Sequence, residues 1–414
     1  MEEYQTRPTP NRNEVFPGEK ANLAAELARS AEVYRKSSEW TQPLEFDLGS
    51  KYDIEAVECL VAESPDIQVS DNVNEIAESL FEYENPSAAG DGQARQEYVQ
   101  GIKEQGLGFG KWFYFPWSNE LVRYPEKDVH RALRTSRNRS LISSEEQDKL
   151  YDSTIAVFGL SVGSNVVDKL LFSGIGGKLI IADMDTLEPS NLNRIDADMT
   201  DVGSAKIDLM AKKISKTDPY IDQVHLRNGI SAEELSEVIQ NHNPDIMIDE
   251  VDDLRMKAEI RSQAKTAEIP VIMATDVGDK SVIDIERYDA ESAEAFHGRL
   301  KNSDLEKLLS DEPLSAKERG AFMLKIVGAR NLNTRIVDSL SRQGKDLAGL
   351  PQLGTTAAIG GSLATVAARE ILLERGMKTG RFSSSPKKIL DMASHSTKRQ
   401  AFETFRGFIR SNRG

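Results

Sequence analysis

Strand-like and helix-like segments alternate regularly after residue 150, and this alternation limits the fold more than any other feature of the chain. The run STIAVFG ends in glycine, and SNVVDKLLFSG follows with apolar residues at the spacing of one helical face. The runs KLIIAD, DQVHL, DIMIDEV, PVIMATD and VIDIERY are typical of further strands, with helical stretches at 232–240 and 254–267 among them. The pattern predicts a right-handed, mostly parallel α/β sheet with flanking helices.

The charge balance and the cysteine count exclude several classes of protein. The 414 residues hold 52 Lys and Arg against 67 Asp and Glu, which gives a formal net charge of −15. Nucleic-acid binders usually carry a basic face, so we expect no nucleic-acid partner. The single cysteine, Cys59, cannot form an internal disulfide or a cysteine-based zinc site. Its apolar neighbours, VECLVAE, predict a core residue rather than a nucleophile.

The chain divides into three regions. Residues 1–125 are predicted to form an N-terminal α+β extension of unknown role, 126–380 the main α/β domain, and 381–414 a C-terminal tail or small extension. The segment KWFYFPW within the first region indicates a core strand. The N-terminus lacks the apolar core of a secretory signal, and the uncharged stretch 347–368 contains Pro, Gln, three threonines and four glycines, which favours a buried helix over a membrane span. We therefore expect a cytoplasmic protein with no membrane contact.

The first strand of the regular region ends in a glycine turn, GLSVGS at 159–164, which is compatible with two chemistries. As a G-x-S-x-G nucleophile elbow, it would make Ser161 the nucleophile of a hydrolase, which also needs an acid and a histidine. The downstream histidines have no context that marks them as the last member of a triad: His225, His242, His297 and His395. As a phosphate-binding turn, it would let the backbone approach a phosphate, and the following helix would present its N–H groups.

The residues that follow the turn favour the phosphate interpretation. Asp183 ends the second strand close to the ~20-residue interval of an acid that binds a ribose hydroxyl. A dehydrogenase would share this feature, but it would not need Asp185, SNLNR and VGSAK, which come next. The cations of those segments, Arg194 and Lys206, predict stabilisation of a triphosphate during reaction rather than hydride transfer.

This ordered set of motifs resembles the ThiF/MoeB/HesA superfamily of ubiquitin-activating-type adenylyltransferases. In that family a glycine-rich turn precedes an IxDxD strand end, SNLxR, GxxKA and a DxxD[ND] segment, and this chain has IIADMD, SNLNR, VGSAK and DEVDD in that order. RTSR at 134–137 resembles the RYxRQ entrance of the family, and PQLGTTAAIGGSLATVAAREIL its C-terminal helix. The resemblance covers residues 130–375 and implies a Rossmann-like adenylation domain at 126–380.

The resemblance implies an enzyme that adenylates a carboxylate, with ATP and magnesium as cofactors. The carboxylate would be the C-terminus of a small ubiquitin-like or sulfur-carrier protein ending in glycine, and the products an acyl-adenylate and pyrophosphate. Arg194 and Lys206 would neutralise triphosphate charge, and Asp252 would hold magnesium. Other nucleotide-binding residues would be Gly159, Ser161, Gly163, Asp183 at the ribose, Asp185, Asn191 and Arg137. Because the Arg137-type contact is made to the ATP of a partner subunit, a homodimer is implied.

Departures from the family pattern leave alternatives open. The CxxC pairs of many members are missing, so no zinc is expected, and 290–345 contains no cysteine for a thioester. The reaction would then stop at the acyl-adenylate, or the enzyme would deliver this adenylate to an external nucleophile. The glycine loop is one residue short, with Ser161 in place of the middle glycine. A non-catalytic nucleotide-binding adaptor and an NAD-dependent oxidoreductase therefore remain as alternatives, and His297 is interpreted as a structural or interface residue rather than a catalytic base.

Overall fold

The N-terminal region forms a small sheet with helices beside it. The computed structural model describes residue 29 and residues 39–310 and 312–390, so His395 and most of the predicted C-terminal tail lie outside the described residues. The elements of this region are β1 (Leu44–Phe46), α1 (Lys51–Glu63), β2 (Gln68–Ser70), α2 (Val73–Glu84), α3 (Gly92–Lys103), β3 (Lys111–Phe115) and β4 (Glu120–Tyr124). The strand order is β1-β3-β4-β2, with β3 in the interior. Trp112, Phe113 and Phe115 on β3 are buried, so the aromatic segment is a core strand as predicted.

Cys59 is exposed on α1, and the prediction that it is a core residue is wrong. None of the residues of α1 is buried, and its partly buried Val57 packs against the small N-terminal core. Residues two positions apart on a helix point about 200° away from each other, so the contact of Val57 turns Cys59 towards solvent. Apolar neighbours in sequence did not reveal on which side of the helix the cysteine lies.

Hydrogen bonds join the N-terminal region to the rest of the protein. The hydroxyl of Tyr124 donates to the carbonyl oxygen of Lys216 over 2.8 Å. The hydroxyl of Tyr220 donates in the opposite direction, to the carbonyl oxygen of Pro125, over 2.7 Å. The N-terminal sheet is thus attached through its last strand to one flank of the α/β domain.

A seven-stranded sheet forms the centre of the α/β domain. Its elements, after α4 (Lys127–Arg134) and α5 (Ser144–Tyr151), are β5 (Thr154–Phe158), α6 (Val162–Ser173), β6 (Lys178–Ala182), α7 (Lys206–Thr217), β7 (Asp222–Leu226), α8 (Ala232–His242), β8 (Ile246–Asp249), α9 (Leu254–Ala267), β9 (Val271–Val277) and β10 (Lys280–Glu286). The last elements are α10 (Asn302–Leu309), α11 (Ala316–Val327), α12 (Thr334–Arg342), α13 (Gly354–Leu372), β11 (Gly380–Ser384) and α14 (Pro386–Ile389). The strand order is β11-β10-β9-β8-β5-β6-β7. Strands β5 to β9 pair in parallel, whereas β10 is antiparallel to both β9 and β11. The predicted mostly parallel sheet is confirmed.

Helices cover both faces of this sheet. Apolar side chains of α6, α7 and α13 pack on one face, and those of α8 and α9 on the other. This explains why the central strands are continuous apolar runs rather than alternating ones, because both of their faces are buried. Helix α13 approaches α6 closely: a Cβ on Gly361 would lie 2.7 Å from the carbonyl carbon of Asn165. Among the described residues, no helix is long and apolar enough to cross a membrane.

Candidate nucleotide-binding site

The candidate site lies where the strand order reverses, at the carboxyl ends of β5 and β8. In open α/β sheets, ligands bind in the crevice that forms at such a reversal. The backbones meet there, because the N–H of Glu250 donates to the carbonyl oxygen of Phe158 over 2.8 Å. Gly159 has a φ of +92°, and a Cβ on it would lie 2.5 Å from the carbonyl oxygen of Glu250. Only glycine fits this position, so the first glycine of the turn serves the junction of the two strands.

The N-terminus of α6 opens directly onto this crevice. The helix begins at Val162, and no side chain caps that end. The first N–H groups of a helix have no partner within the helix, and the helix dipole places partial positive charge there. Gly163, in the first turn, allows close packing on β5, since a Cβ would lie 3.1 Å from Cγ1 of Val157. This end of α6 is therefore suited to an anion such as a phosphate.

Asp183 connects the ends of β5 and β6. Its carboxylate accepts hydrogen bonds from the backbone N–H groups of Leu160, over 2.6 Å, and Asp185, over 2.8 Å. Burial raises the pKa of Asp183, and these two hydrogen bonds oppose the rise. Each oxygen that accepts one hydrogen bond keeps a further lone pair, so Asp183 can still accept from a ligand hydroxyl.

Two cations point to the same region. The Nζ atom of Lys206 lies 2.8 Å from Oδ2 of Asp185, in a pair whose lysine is buried and whose carboxylate is mostly exposed. The Nε–H of Arg194 donates to Oγ of Ser161 over 3.1 Å, which places its guanidinium on the glycine turn. Asn165 on α6 fixes the backbone of that arginine, as its Nδ2 donates to the carbonyl oxygen of Arg194 over 2.8 Å.

Arg194 is a cation with no ion-pair partner among the described residues. Its Nη1 donates only to neutral acceptors, the carbonyl oxygen of Ser190 at 3.1 Å and Oδ1 of Asn193 at 2.9 Å. Burial lowers the pKa of Arg194, and the more distant charges of Asp276 and Asp252 oppose this. Such a partly buried, unpaired guanidinium is ready to bind an anion.

The surroundings of Ser161 do not support the nucleophile-elbow alternative. The Oγ atom of Ser161 accepts a hydrogen bond from Arg194, and within the described residues no histidine contacts it. His225 contacts Gln223, and His297 lies 2.9 Å from Oδ1 of Asp284. A serine without a neighbouring base is a weak nucleophile.

The aspartates of the acidic run DEVDD have different surroundings and different roles. Asp249 is buried between Lys257 and Arg261, at 3.1 and 2.5 Å, and Asp253 caps α9 through the backbone N–H of Met256. Asp252 remains exposed and interacts electrostatically with Arg194. Among the described residues, no group of three or more His, Cys, Asp or Glu is arranged to hold a metal ion. One free carboxylate nevertheless fits magnesium, which is usually bound through one or two carboxylates together with substrate phosphates.

The other two predicted phosphate ligands lie in different surroundings. The Oδ1 atom of Asn191, which is buried, accepts from the N–H of Glu188 over 3.1 Å and so shapes the loop before Arg194. Arg137 is exposed in a short 3₁₀ turn, Ser136–Asn138, and Nδ2 of Asn138 lies 3.5 Å from the carbonyl oxygen of Ser173, at the opposite end of α6 from the glycine turn. Its contact with a partner subunit stays a prediction.

Sequence reasoning missed two acidic residues at this site. Glu250 follows Asp249 directly; its Oε1 accepts from the N–H of Ala274 over 2.7 Å, and burial raises its pKa well above the ordinary value. Both carboxylate oxygens of Asp276, near the end of β9, are buried without a hydrogen-bond partner among the described residues. Burial raises the pKa of Asp276 to about 7, against the attraction of Arg194. Asp276 could have been found, because it occupies the end of a parallel strand as Asp183 does.

These features define an α/β protein with a crevice suited to an anion at the reversal of its strand order, between a glycine turn and two cations. The chain belongs to the ThiF family, whose model matches residues 135–406.

The uncharacterized protein MT1398 of Mycobacterium tuberculosis (strain CDC 1551 / Oshkosh) is 34% identical over 272 residues, which are 66% of this chain and 37% of that protein. The tRNA threonylcarbamoyladenosine dehydratase of Bacillus subtilis (strain 168) is 30% identical over 35% of this chain and 58% of its own length. The sulfur carrier protein ThiS adenylyltransferase of Escherichia coli (strain K12) is 28% identical over 33% of this chain and 54% of its own length. The chain thus spans between about a third and three fifths of these relatives.

Proposed function

We propose that this protein is an ATP-dependent adenylyltransferase that transfers AMP to a carboxylate and releases pyrophosphate. The observation that carries the proposal is Arg194, which is held on Ser161 of the glycine turn without an ion-pair partner among the described residues. Lys206 acts electrostatically on Asp183, and its one ion-pair partner among the described residues is the mostly exposed carboxylate of Asp185. A triphosphate at the N-terminus of α6 would be near three sources of positive charge, namely the helix end, Arg194 and Lys206. Reactions at phosphorus need such charge, because negative charge on the phosphate oxygens must be stabilised in the transition state.

Each residue of the site would have a separate role in the reaction. Asp183 would accept a ribose hydroxyl, and the glycine turn would hold the phosphates. An oxygen of the incoming carboxylate forms a bond to the α-phosphorus as the bond to the bridging oxygen of the β-phosphate breaks, and that oxygen leaves with pyrophosphate. Arg194 and Lys206 would stabilise the charge that develops, Lys206 by exchanging Asp185 for a phosphate. Magnesium, held by Asp252 and phosphate oxygens, would neutralise further charge.

The carboxylate would belong to a small protein. One of the relatives is named as the adenylyltransferase of a sulfur carrier protein, which supports the C-terminal glycine of a ubiquitin-like or sulfur-carrier protein as the substrate. Another relative is named as a tRNA-modifying dehydratase, so family membership leaves the carboxylate open. A homodimer, in which Arg137 reaches the nucleotide of the partner, and a cytoplasmic location belong to the same proposal.

Pyrophosphate exchange into ATP, measured with candidate carrier proteins, is the direct test. Arg194→Ala and Asp252→Ala should lose exchange, while Arg319→Ala, a change to an exposed arginine on α11, should keep it. Wild-type exchange rates in Arg194→Ala would contradict the assigned roles. ATP binding without exchange against any carrier would favour the non-catalytic adaptor, and tighter binding of NAD than of ATP would favour the oxidoreductase.

A further inference from the structure

Three arginines gather in a cleft between the segment that precedes α12 and the edge strand β11. The cleft has a volume of 510 Å³ and is lined by Arg299, Gly328, Arg330, Asn331, Arg381 and Ser383, among others. Within the described part of the chain, none of the residues that line the cleft is acidic, although the whole chain carries a net charge of −15. Because β11 lies four strands from β5 in the sheet, this cleft is separate from the glycine turn.

Arg381 is held rigidly in the cleft wall. Its Nε and Nη2 donate to the two carboxylate oxygens of Asp284, the latter over 2.6 Å, and its Nη1 donates to the carbonyl oxygen of Val327 over 3.1 Å. The Nε2 atom of His297 lies 2.9 Å from the same carboxylate. Asp284 is therefore already shared and is not available to further arginines.

The other two arginines lack a partner of opposite charge. No described carboxylate lies within ion-pair distance of Arg299 or Arg330, although both are placed beside Arg381. Burial lowers the pKa of Arg299, and repulsion by Arg381 and Arg330 lowers it further, against the attraction of Asp284. The arrangement of these like charges has an electrostatic cost that a bound anion would remove.

The backbone at Gly328 leaves room for two of these guanidinium groups. Gly328 has a φ of +81°, and the position that a Cβ would take lies 2.7 Å from Nη1 of Arg299 and 3.4 Å from Nη1 of Arg381. A side chain there would displace Arg299, so the glycine at the C-terminal end of α11 lets both guanidinium groups approach one point. Planar guanidinium groups match the oxygens of phosphates and carboxylates through paired hydrogen bonds.

We propose that this cleft binds an oxyanion, a phosphate or a carboxylate group, between Arg299, Arg330 and Arg381. The proposal is independent of the adenylyltransferase activity, since none of its residues belongs to the nucleotide site. The oxyanion could be a free phosphate compound or a carboxylate of a protein or peptide. The two sources share their chemistry and can be separated by experiment.

Inorganic phosphate and acetate should be titrated separately into the full-length protein at low ionic strength, with calorimetric detection and without ATP, whose own phosphates would compete for the cleft. We expect binding to wild type, and a dissociation constant roughly tenfold higher in Arg299→Gln and in Arg330→Gln, because each removes charge-assisted hydrogen bonds. Arg319→Gln, which changes another exposed arginine, on α11, is the matched control and should bind as wild type does. Tighter binding of phosphate would indicate a phosphate compound, and tighter binding of acetate a carboxylate.

Unchanged binding of both anions in Arg299→Gln and Arg330→Gln would overturn the proposal. An equal loss in Arg319→Gln would also overturn it, because it would reveal a general effect of surface charge. Phosphate or acetate that binds at the nucleotide site contributes equally in wild type and in the three variants, since all of them keep that site unchanged. Failure of the adenylyltransferase proposal and failure of this one therefore give different results.

Discussion

Replacement of Asp276 by asparagine should stabilise the protein, and by more at alkaline pH than in mild acid. The pKa of Asp276 is raised from the ordinary 3.8 to about 7 because its carboxylate oxygens are buried without hydrogen-bond donors. The unfolded chain releases this proton near pH 4, whereas the folded protein keeps it until about pH 7. The free energy of unfolding therefore falls between these two values as pH rises, by up to about 4 kcal/mol.

Urea unfolding of wild type and Asp276→Asn at pH 5 and pH 8 measures this effect. An amide resembles the protonated acid, so Asp276→Asn should be more stable than wild type by about 1.5 kcal/mol at pH 5, where about a third of the loss has accumulated, and by about 4 kcal/mol at pH 8. Asp279→Asn supplies a control of opposite sign. Burial raises the pKa of Asp279, but its 2.7 Å ion pair with Lys387 outweighs burial and holds that pKa below the ordinary value. That variant should lose stability at pH 8. Equal stabilisation of Asp276→Asn at both pH values would refute the reasoning.

Other substitutions test the packing and the site. Gly361→Ala should lower the free energy of unfolding by about 1–3 kcal/mol, because its Cβ would meet backbone atoms of α6. Gly101→Ala, where a Cβ meets nothing within 4 Å, should instead raise the free energy of unfolding by up to about 1 kcal/mol. Arg261→Met should lower the free energy of unfolding, measured by chemical denaturation, by about 3–5 kcal/mol, since Asp249 and Glu286 would be left buried without that partner. An unchanged free energy of unfolding would contradict this, because it would mean that the ion-pair network relaxes. Ser161→Ala should change the affinity for ATP by less than about tenfold in calorimetry, because it removes one neutral acceptor, and complete loss of binding would contradict this.

The sequence predicted the regions in which periodicity or local chemistry dominates. The alternation of apolar strands and helices after residue 150 predicted the parallel sheet. The aromatic run KWFYF predicted the buried strand β3. The positions of Gly159 and Asp183 at strand ends predicted that they would share one edge of the sheet, and the structure joins them through the backbone N–H of Leu160. Each of these inferences depends on residues that lie close together in the chain.

Features that depend on contacts between distant segments were not predictable. Cys59 has apolar neighbours in sequence, but the packing of Val57 turns it outwards. The run DEVDD is continuous in sequence, yet Asp249 is buried in an ion pair with Arg261, and Asp252 is exposed. The environment of Asp276 depends on β10 and α13, because Ser281 is its cross-strand neighbour and Gly360 covers both.

The sequence by itself determined the fold class, the glycine turn and the presence of two cations behind it, because hydrophobic period and turn chemistry act over a few residues. Only the tertiary structure decided which of those charges are free. Lys206 and Asp249 are paired, whereas Arg194 and Asp276 have no ion-pair partner among the described residues. The physical reason is that burial and pairing are set by segments far apart in the chain, and these two quantities control whether a charged side chain can act on a ligand.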